Sequence, residues 1–276
     1  MHEHAVGRGT HRLHPAGAAL TRWRLLLTPP ADAATNMAMD EALLARARAT
    51  GESVLRVYEW ERPALSLGRN QPTAGCYSAA RAAACGVEVV RRLTGGRAVV
   101  HAREITYSVT AALVATEPLR ESYARINAVL VTALRRSGVA AEVALPAAPA
   151  PPPSTAPCFE RPTAGELVVR GRKLVGSAQW RDDGALLQHG SILVDDDQPL
   201  LAALALEPIP PVPTPATLRE ELGGALAAAQ LYEALGDAVR ELEDPCAAPL
   251  AADPPLWARA VALRARYADA SWTWRR

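Results

Sequence analysis

The stretch from Glu166 to Asp195 constrains the fold more than any other part of the chain. It contains three runs rich in apolar residues, ELVVR, GRKLVGSAQWR and ALLQHGSILVD. Gly171 separates the first two runs, and Asp182–Gly184 separates the last two. Short runs joined by tight, glycine-containing turns predict three consecutive antiparallel strands. Any fold for this chain therefore has to accommodate a three-stranded meander.

The rest of the chain mixes further strands with helices. Apolar alternation predicts strands at 23–30, 53–60, 64–71, 87–92, 97–101, 104–113 and 139–145. Helical spacing predicts helices at about 31–50, 77–85, 120–137, 216–241 and 255–267. Asp32 or Thr35 is expected to cap the first helix, and Gly51 to end it. Adjacent strands mixed with helices indicate the α+β class, with mixed, largely antiparallel sheets and flanking helices.

Composition and charge limit the number of domains and the kinds of partner. The chain has 276 residues, 49% of them apolar, which is enough to bury a sizeable core. Its formal net charge of +1 gives no reason to expect a nucleic acid or an anionic membrane as partner. The first residues lack the hydrophobic region and cleavage site of a signal peptide. We therefore expect a disordered leader at 1–20, a single domain at 21–276 and a cytoplasmic location.

The single lysine of the chain is a candidate functional residue. Lys173 is one of 30 basic side chains, and all the others are arginines. Arginine does not replace lysine where a compact point charge or a shiftable pKa is needed. A stray lysine in an arginine-biased chain is the plain alternative. Because Lys173 follows a predicted turn and leads into an apolar strand, we interpret it as a candidate catalytic cation.

One of the four cysteines is a candidate nucleophile. The chain has no C-x-x-C pair, which argues against a structural zinc site. Cys158 follows the proline-rich residues 146–157, whose composition predicts an extended loop. A loop cysteine near a cation has a lowered pKa and a usable thiolate. Cys158 with Lys173 is therefore a candidate pair of nucleophile and oxyanion donor, and an ordinary loop cysteine is the alternative.

Two further motifs contain candidate binding residues. RRLTGGRAVVH places two adjacent glycines between arginines and ends at His101. Adjacent glycines let backbone N–H groups approach a ligand, although an ordinary glycine hairpin has the same pattern. In LLQHGSILVD, His189 and Ser191 share one face of a predicted strand, and Gly190 between them permits close approach to the backbone. A hydrogen-bonded core histidine is the alternative for His189.

Five segments taken together resemble a known family. They are NMAMDEALL, RPALSLGRNQ, RRLTGGRAVVHAREITYSV, CFERPTAGELVVRGRKLVGSAQWR and ALLQHGSILVD, in that order. This set is similar to the lipoate–protein ligase and octanoyltransferase family, within the biotin/lipoate protein ligase superfamily. The match covers roughly Arg24 to Asp197, and YADASWTWRR resembles the end of the same catalytic domain. The resemblance implies that catalytic-domain fold over 21–276, without the C-terminal accessory domain of ligases.

Within the family, the loop cysteine before GRK-x-x-GSAQ and the arginine in TGGR are most similar to octanoyltransferases with the ligase-like sequence pattern. The resemblance implies that Cys158 attacks octanoyl-acyl carrier protein and that Lys173 stabilises the oxyanion. The acyl group then passes to a lysine of a lipoyl domain, such as the glycine-cleavage H protein, with no cofactor or metal. The resemblance also implies a substrate-binding site formed by Arg92, Thr94, Gly95, Gly96, His101, Gly176, Ser177, Ala178, His189 and Gly190. It assigns no proton-transfer role to either histidine.

Three other functions are compatible with these motifs. An ATP-dependent lipoate–protein ligase would adenylate free lipoate and need no cysteine. An amidotransferase would move octanoyl or lipoyl groups between lipoyl domains through a thioester. A non-catalytic lipoyl-domain binding protein would need neither Cys158 nor Lys173, so both residues argue against it. The residues after Asp197 complete the catalytic domain in this interpretation, which favours the transferase over the ligase.

Overall fold

The computed structural model describes residues 22–113, 117–145, 159, 163–209 and 213–275. The predicted leader at 1–20, the proline-rich residues 146–157 and Cys158 lie outside these ranges. No helix within them is both long enough and apolar enough to cross a membrane.

Runs of adjacent strands are mixed with helices, as the sequence predicts. The strands are β1 (Trp23–Leu27), β2 (Ser53–Tyr58), β3 (Ala64–Leu67), β4 (Glu88–Arg91), β5 (Val99–His101), β6 (Glu104–Ala112), β7 (Glu142–Val143), β8 (Leu167–Val169), β9 (Arg172–Asp182), β10 (Ala185–Leu193) and β11 (Ala248–Pro249). The helices are α1 (Ala33–Thr50), α2 (Ala79–Ala84), α3 (Leu119–Arg136), α4 (Leu200–Leu204), α5 (Leu218–Leu222), α6 (Ala228–Leu242), α7 (Pro254–Ala268) and α8 (Ala270–Thr273).

The larger sheet contains the predicted meander. Its strand order is β11-β1-β2-β6-β10-β9-β8-β7, and its pairs are antiparallel except β11–β1 and β1–β2. Both meander turns use two consecutive residues of positive φ, Arg170–Gly171 and Asp183–Gly184. Such turns match the right-handed twist of the paired strands. The meander and the mixed, largely antiparallel α+β architecture are therefore confirmed.

The smaller sheet determines how the TGGR turn (residues 94–97) is placed. Its order is β4-β3-β5, so the strands before and after the turn do not pair with each other. The connection instead crosses the end of β3, where Arg69 N donates to Thr94 O at 2.8 Å. The motif is therefore not an ordinary hairpin, and its loop is held over a neighbouring strand.

Helices cover both faces of the larger sheet. On one face, which we call the α3 face, residues of α3 and α6 pack with alternate residues of β6 and β10, including Tyr107 and Leu186. On the other, the α1 face, α1 packs against the sheet with Tyr58, Ala185 and Leu187. Strand alternation sends consecutive side chains to opposite faces, so the two cores share the same strands.

Local signals account for most helix ends and for one wrong prediction. Asp32 caps α1 by accepting from Thr35 N at 2.7 Å, and Gly51 ends it with a φ of 71°. The single helix expected at 216–241 is instead two helices, α5 and α6. Gly223 follows α5 with a left-handed φ of 68°, and a second glycine, Gly224, comes next. This pair ends a helix because glycine tolerates that conformation and adds no helix propensity.

Candidate active site

A row of four side chains crosses the larger sheet on its α1 face. Arg56, Ser108, His189 and Ala178 are direct neighbours in the register of β2, β6, β10 and β9. The first three contact the α1 carboxylate of Asp40: Arg56 Nη1 at 2.9 Å, Ser108 Oγ at 2.8 Å and His189 Nδ1 at 3.1 Å. The row therefore leads from a buried ion pair to the small side chain of Ala178.

A second row of neighbouring residues, offset by two positions along each strand from the first row, contains Gly176. In this row Gly176 is paired with Ser191. A Cβ atom on Gly176 would lie 3.1 Å from Lys173 Cε and 3.3 Å from Phe159 Cζ. Glycine here thus lets the lysine and phenylalanine side chains cross the strand closely.

Lys173 is buried and held by a carboxylate. Only 2% of its side chain is exposed, and its Nζ donates to Glu166 Oε1 at 2.6 Å. The Nζ atom also lies 4.7 Å from the centre of the Phe159 ring. Phe159 itself packs with Val99 and Leu193. A buried ammonium with fixed neighbours has a defined position, as an oxyanion donor requires.

The TGGR turn approaches the same face. A Cβ on Gly68 at the end of β3 would lie 2.0 Å from Gly96 O, so the two backbones are in direct contact. Gly96 has a φ of 90°, which disfavours other residues. A Cβ at Gly96 would lie 3.9 Å from Ala178 Cβ. Gly96 and Ala178 therefore face each other across the site.

Arg92 holds the backbone of this turn. Its Nη2 donates to Gly95 O at 2.8 Å and to Arg97 O at 2.7 Å. Its Nη1 donates to Ser66 O and to Ser66 Oγ, each at 2.9 Å. The guanidinium thus connects β3 to two carbonyl groups of the turn, and the expectation that Arg92 shapes the acyl pocket remains a prediction.

His189 is the middle member of a buried hydrogen-bonded chain. Its Nε2 lies 2.6 Å from Thr94 Oγ1, and its Nδ1 faces Asp40. Burial lowers the pKa of His189 and outweighs the opposing effect of Asp40, so the neutral ring is favoured. Burial raises the pKa of Asp40, but the His189 hydrogen bond and the Arg56 charge reverse that effect, and the carboxylate is favoured. A carboxylate at Nδ1 fixes the proton there, and Nε2 accepts from Thr94.

His101 occupies a second buried network. Its Nδ1 lies 2.7 Å from Glu104 Oε1, and its Nε2 lies 2.7 Å from Ser66 Oγ. The imidazole ring stacks on Trp60 with ring centres 4.1 Å apart. Ser191 Oγ donates to the same Glu104 oxygen at 3.0 Å. His101 therefore reaches the TGGR turn through Ser66 and Arg92.

Two of the expected substrate residues, Ser177 and Gly190, form a row with Tyr107 that belongs to the α3 face. Ser177 Oγ lies 2.7 Å from Tyr107 OH, which also accepts from Gln188 Nε2 at 3.0 Å. A Cβ on Gly190 would lie 2.6 Å from Ser177 Oγ and 2.7 Å from Gly176 O. The packing of neighbouring strands explains the glycine, and substrate contact at Ser177 and Gly190 remains a prediction.

A cavity adjoins the open edge of β9. Strand β8 pairs only with the first part of β9, from Arg172 to Val175. Beyond it lies a cavity of about 910 Å³, with Ser177 and Ala178 among its lining residues and apolar side chains of α3 opposite them. This volume lies within the range of small-molecule sites in proteins. Two predicted site residues therefore also line accessible space.

Sequence reasoning missed the partners that orient the site. Glu166, Asp40, Glu104 and Ser66 each contact a candidate residue, and none was singled out from the sequence. Asp40 is 149 positions from His189, so no local pattern relates them. The sequence contains a weak signal for Glu166, because this acidic residue directly precedes β8, the strand that pairs with the strand containing the only lysine.

The buried Asp40–His189 pair predicts acid destabilisation. Both groups have lower pKa values in the folded chain than in their ordinary state, so the folded chain binds fewer protons. The His189 contribution is complete above its unfolded pKa, about 6.5, and is lost as the pH falls through the lower folded value. We expect the free energy of unfolding to decrease below about pH 6.5, by at most about 1.4 kcal/mol per pH unit for this group.

Urea unfolding from about pH 7.5 to 5 measures this effect. The His189→Gln variant should have a shallower slope in that window than the unsubstituted chain. The surface variant Arg48→Lys should retain the original slope, because Arg48 contacts the exposed end of the β9–β10 turn. Equal slopes in the His189→Gln variant and the unsubstituted chain would contradict the assignment.

Comparisons with known proteins agree with this architecture. The sequence matches the model of the lipoyl protein ligase A/B catalytic domain over residues 32–240. An octanoyltransferase LipM from Kyrpidia tusciae is 40% identical over 238 residues, covering 79% of this chain and 86% of that protein. A lipoate-protein ligase A bound with ATP has the same fold, with a TM-score of 0.73, 21% identity, and coverage of 93% of this chain and 99% of that one.

A second solved structure with this fold is a bi-partite lipoate protein ligase with its E2 lipoyl domain from Thermoplasma acidophilum. The TM-score is 0.70 at 20% identity, covering 92% of this chain and 96% of that one. The family model spans most of the chain, and the relative from Kyrpidia tusciae matches over a similar extent. This chain therefore belongs to the lipoyl protein ligase A/B catalytic domain family.

Proposed function

We propose that this protein transfers an octanoyl group from octanoyl-acyl carrier protein to a lysine of a lipoyl domain, through a thioester on Cys158. Family membership and the octanoyltransferase relative support an acyl transfer in protein lipoylation. The observation that carries the proposal is the buried ammonium of Lys173 beside Phe159, the residue covalently bonded to Cys158. This arrangement supplies one fixed cation beside the residue that follows the candidate nucleophile in the sequence.

The first half-reaction moves the acyl group onto the enzyme. The Cys158 thiolate attacks the thioester carbonyl carbon, a new C–S bond forms, and negative charge develops on the carbonyl oxygen. When the intermediate collapses, the bond to the carrier sulfur breaks, and the carrier thiolate takes a proton from water. Lys173 Nζ stabilises the oxyanion, and its ion pair with Glu166 keeps the ammonium in place.

The second half-reaction releases the acyl group to the acceptor. The neutral ε-amine of the lipoyl-domain lysine attacks the Cys158 thioester carbonyl, and a C–N bond forms. The C–S bond then breaks, the amine loses its extra proton to solvent, and Cys158 returns to the thiolate. The same Lys173 donor serves this oxyanion, because the reacting carbonyl occupies the same thioester position. The glycine-cleavage H protein is our proposed acceptor, in a cytoplasmic setting.

We assign the octanoyl chain to the α1 face between Lys173 and the TGGR turn. The Lys173 and Phe159 side chains cross Gly176, and further along β9 the small side chain of Ala178 faces Gly96 and also borders the cavity at the open strand edge. Phe159 supplies an apolar wall next to the cation. The carbonyl end then lies at Lys173, and the hydrocarbon end extends toward Ala178.

Intact-mass analysis tests this proposal. After mixing with octanoyl-acyl carrier protein in the absence of ATP and magnesium, we expect a gain of one octanoyl group. Hydroxylamine should remove it, as it removes thioesters, and addition of a lipoyl-domain protein should transfer it. If labelling of the lipoyl domain needs ATP and free octanoate or lipoate, and the carrier-bound acyl group is inactive, the ligase function replaces this proposal.

A further inference from the structure

Two buried chains of side chains converge on the TGGR turn from different strands. Each begins with a carboxylate, continues through a histidine and ends at a hydroxyl group. One consists of Asp40, His189 and Thr94. The other consists of Glu104, His101 and Ser66. The repeated order is unexpected, because the two histidines lie on different sheets, one on β10 and the other on β5.

The first chain ends on the turn itself. The Asp40 carboxylate also accepts from Arg56 at 2.9 Å and from Ser108 at 2.8 Å, so it is held on several sides. It orients the His189 ring, whose Nε2 accepts the Thr94 hydroxyl proton at 2.6 Å. Because Thr94 is the first residue of the turn and is fully buried, this hydrogen bond fixes where the turn begins.

The second chain reaches the other end of the turn through Arg92. Glu104 orients His101, and His101 Nε2 accepts from Ser66 Oγ at 2.7 Å. Ser66 Oγ in turn accepts from Arg92 Nη1 at 2.9 Å. The opposite side of the Arg92 guanidinium donates to the carbonyl oxygens of Gly95 and Arg97. Arg92 therefore donates in two directions, through Ser66 and His101 toward the Glu104 carboxylate and directly to the carbonyl oxygens of the turn.

The distances that join Ser66, His101 and Glu104 resemble those of a hydrolase catalytic triad. The surroundings of Ser66, however, argue against a role as nucleophile. Ser66 is 1% exposed, and its hydroxyl oxygen accepts from the Arg92 guanidinium. A serine nucleophile has to reach a substrate carbonyl, and its oxygen lone pair has to be available. Here the backbone of β4 and β5 flanks Ser66 on both sides.

We propose that Asp40–His189–Thr94 and Glu104–His101–Ser66–Arg92 are positioning chains that hold the two ends of the TGGR turn in place against the acyl group. The effect of these chains on the reaction rate rests on the proposed octanoyl transfer. Neither histidine exchanges a proton with the substrate in this assignment. Holding Gly96 at a fixed distance from Ala178 keeps the acyl chain and its carbonyl aligned with Lys173.

The Thr94→Val and Thr94→Ser variants separate positioning from packing. Valine keeps the shape of threonine and removes the hydroxyl, whereas serine keeps the hydroxyl. We expect Thr94→Val to lower kcat for acyl-enzyme formation by about tenfold to a hundredfold, with KM for the carrier within about twofold, because a small misplacement affects the reacting geometry. Thr94→Ser should restore kcat to within about threefold. Thr50→Val, on the exposed end of α1, is the matched control and should leave kcat unchanged.

Amide hydrogen exchange supplies a readout that does not depend on acyl transfer. In the Thr94→Val and Ser66→Ala variants, amides of residues 94–97 should exchange at least about tenfold faster than in the Thr50→Val control. Thr94→Ser should retain the protection of the unsubstituted chain. If the unsubstituted chain takes no octanoyl group, the proposed function fails, and exchange at 94–97 still tests the positioning chains.

Two results would overturn the inference. In the first, the unsubstituted chain transfers the octanoyl group, and both Thr94→Val and Ser66→Ala keep the original kcat and the original amide exchange at residues 94–97. The proposed function would then stand without the positioning chains. In the second, a fluorophosphonate probe labels Ser66, as located by peptide mass analysis. Such a label would contradict the inference, because a positioning hydroxyl does not act as a nucleophile. Absence of that label on Ser66, with the kinetic and exchange effects above, supports the inference.

Discussion

Replacement of Cys158 by alanine will abolish octanoyl transfer, by about a thousandfold or more, while the chain stays folded. The thioester intermediate has no attachment point without the thiolate, and serine is too weak a nucleophile at neutral pH without an adjacent base. Cys158→Ser should therefore be inactive as well. The measurement is octanoyl transfer to a lipoyl domain, together with the intact mass of each variant after exposure to octanoyl-acyl carrier protein.

The other cysteines provide matched controls for this experiment. Cys85 and Cys246 are exposed, and burial raises the pKa of Cys76, so none of the three has the features of an activated thiol. Alanine at any of these positions should leave transfer intact and the octanoyl adduct present. Full activity in Cys158→Ala would contradict the covalent mechanism, and an adduct that persists there would locate the thioester on another residue.

Exchange of Lys173 for arginine should lower the transfer rate by about a hundredfold or more, even though the positive charge remains. A guanidinium is planar and spreads its charge over a fork, so its donors do not occupy the position of the ammonium. The site is tight, since a Cβ atom added at Gly176 would lie only 3.1 Å from Lys173 Cε. Losing one well-placed oxyanion donor typically costs about a hundredfold to a thousandfold in rate.

The choice of substitution and one control variant keep this result interpretable. Arginine is preferable to alanine, because removing one partner of a buried ion pair such as Lys173–Glu166 typically costs about 3–5 kcal/mol of stability. Arg172→Lys makes the reciprocal exchange at the neighbouring position, where the side chain is paired at the surface with Glu220, and should have nearly normal activity. Iodoacetamide should also alkylate Cys158 more slowly in Lys173→Arg than in Arg172→Lys. Rates of transfer and alkylation within about threefold of normal in Lys173→Arg would contradict the assigned role, since a missing donor costs far more.

The elements that the sequence predicted well depend on neighbouring residues. Alternation over Glu166–Asp195 and positive-φ turns at Arg170–Gly171 and Asp183–Gly184 determine the meander within a short segment. The helix α1 was located from its spacing, its Asp32 cap and Gly51. The helix predicted at 216–241 is wrong for an equally local reason, because two adjacent glycines, Gly223 and Gly224, interrupt its helical spacing. Residue types in the site, such as a sole lysine, were also visible in the sequence alone.

The sequence by itself therefore determined the α+β class, the meander and the identity of the candidate residues, since periods of two and 3.6 residues and turn chemistry are local properties. Only the tertiary structure decided which of them meet. It brings Lys173 to Glu166 and Phe159, His189 to Asp40, and the TGGR turn over β3 instead of into a hairpin. It also places Ser177 and Gly190 on the opposite face of the sheet from His189. These contacts depend on how distant segments pack around α1 and on which strands pair, and neither is encoded in the spacing of residues along one strand.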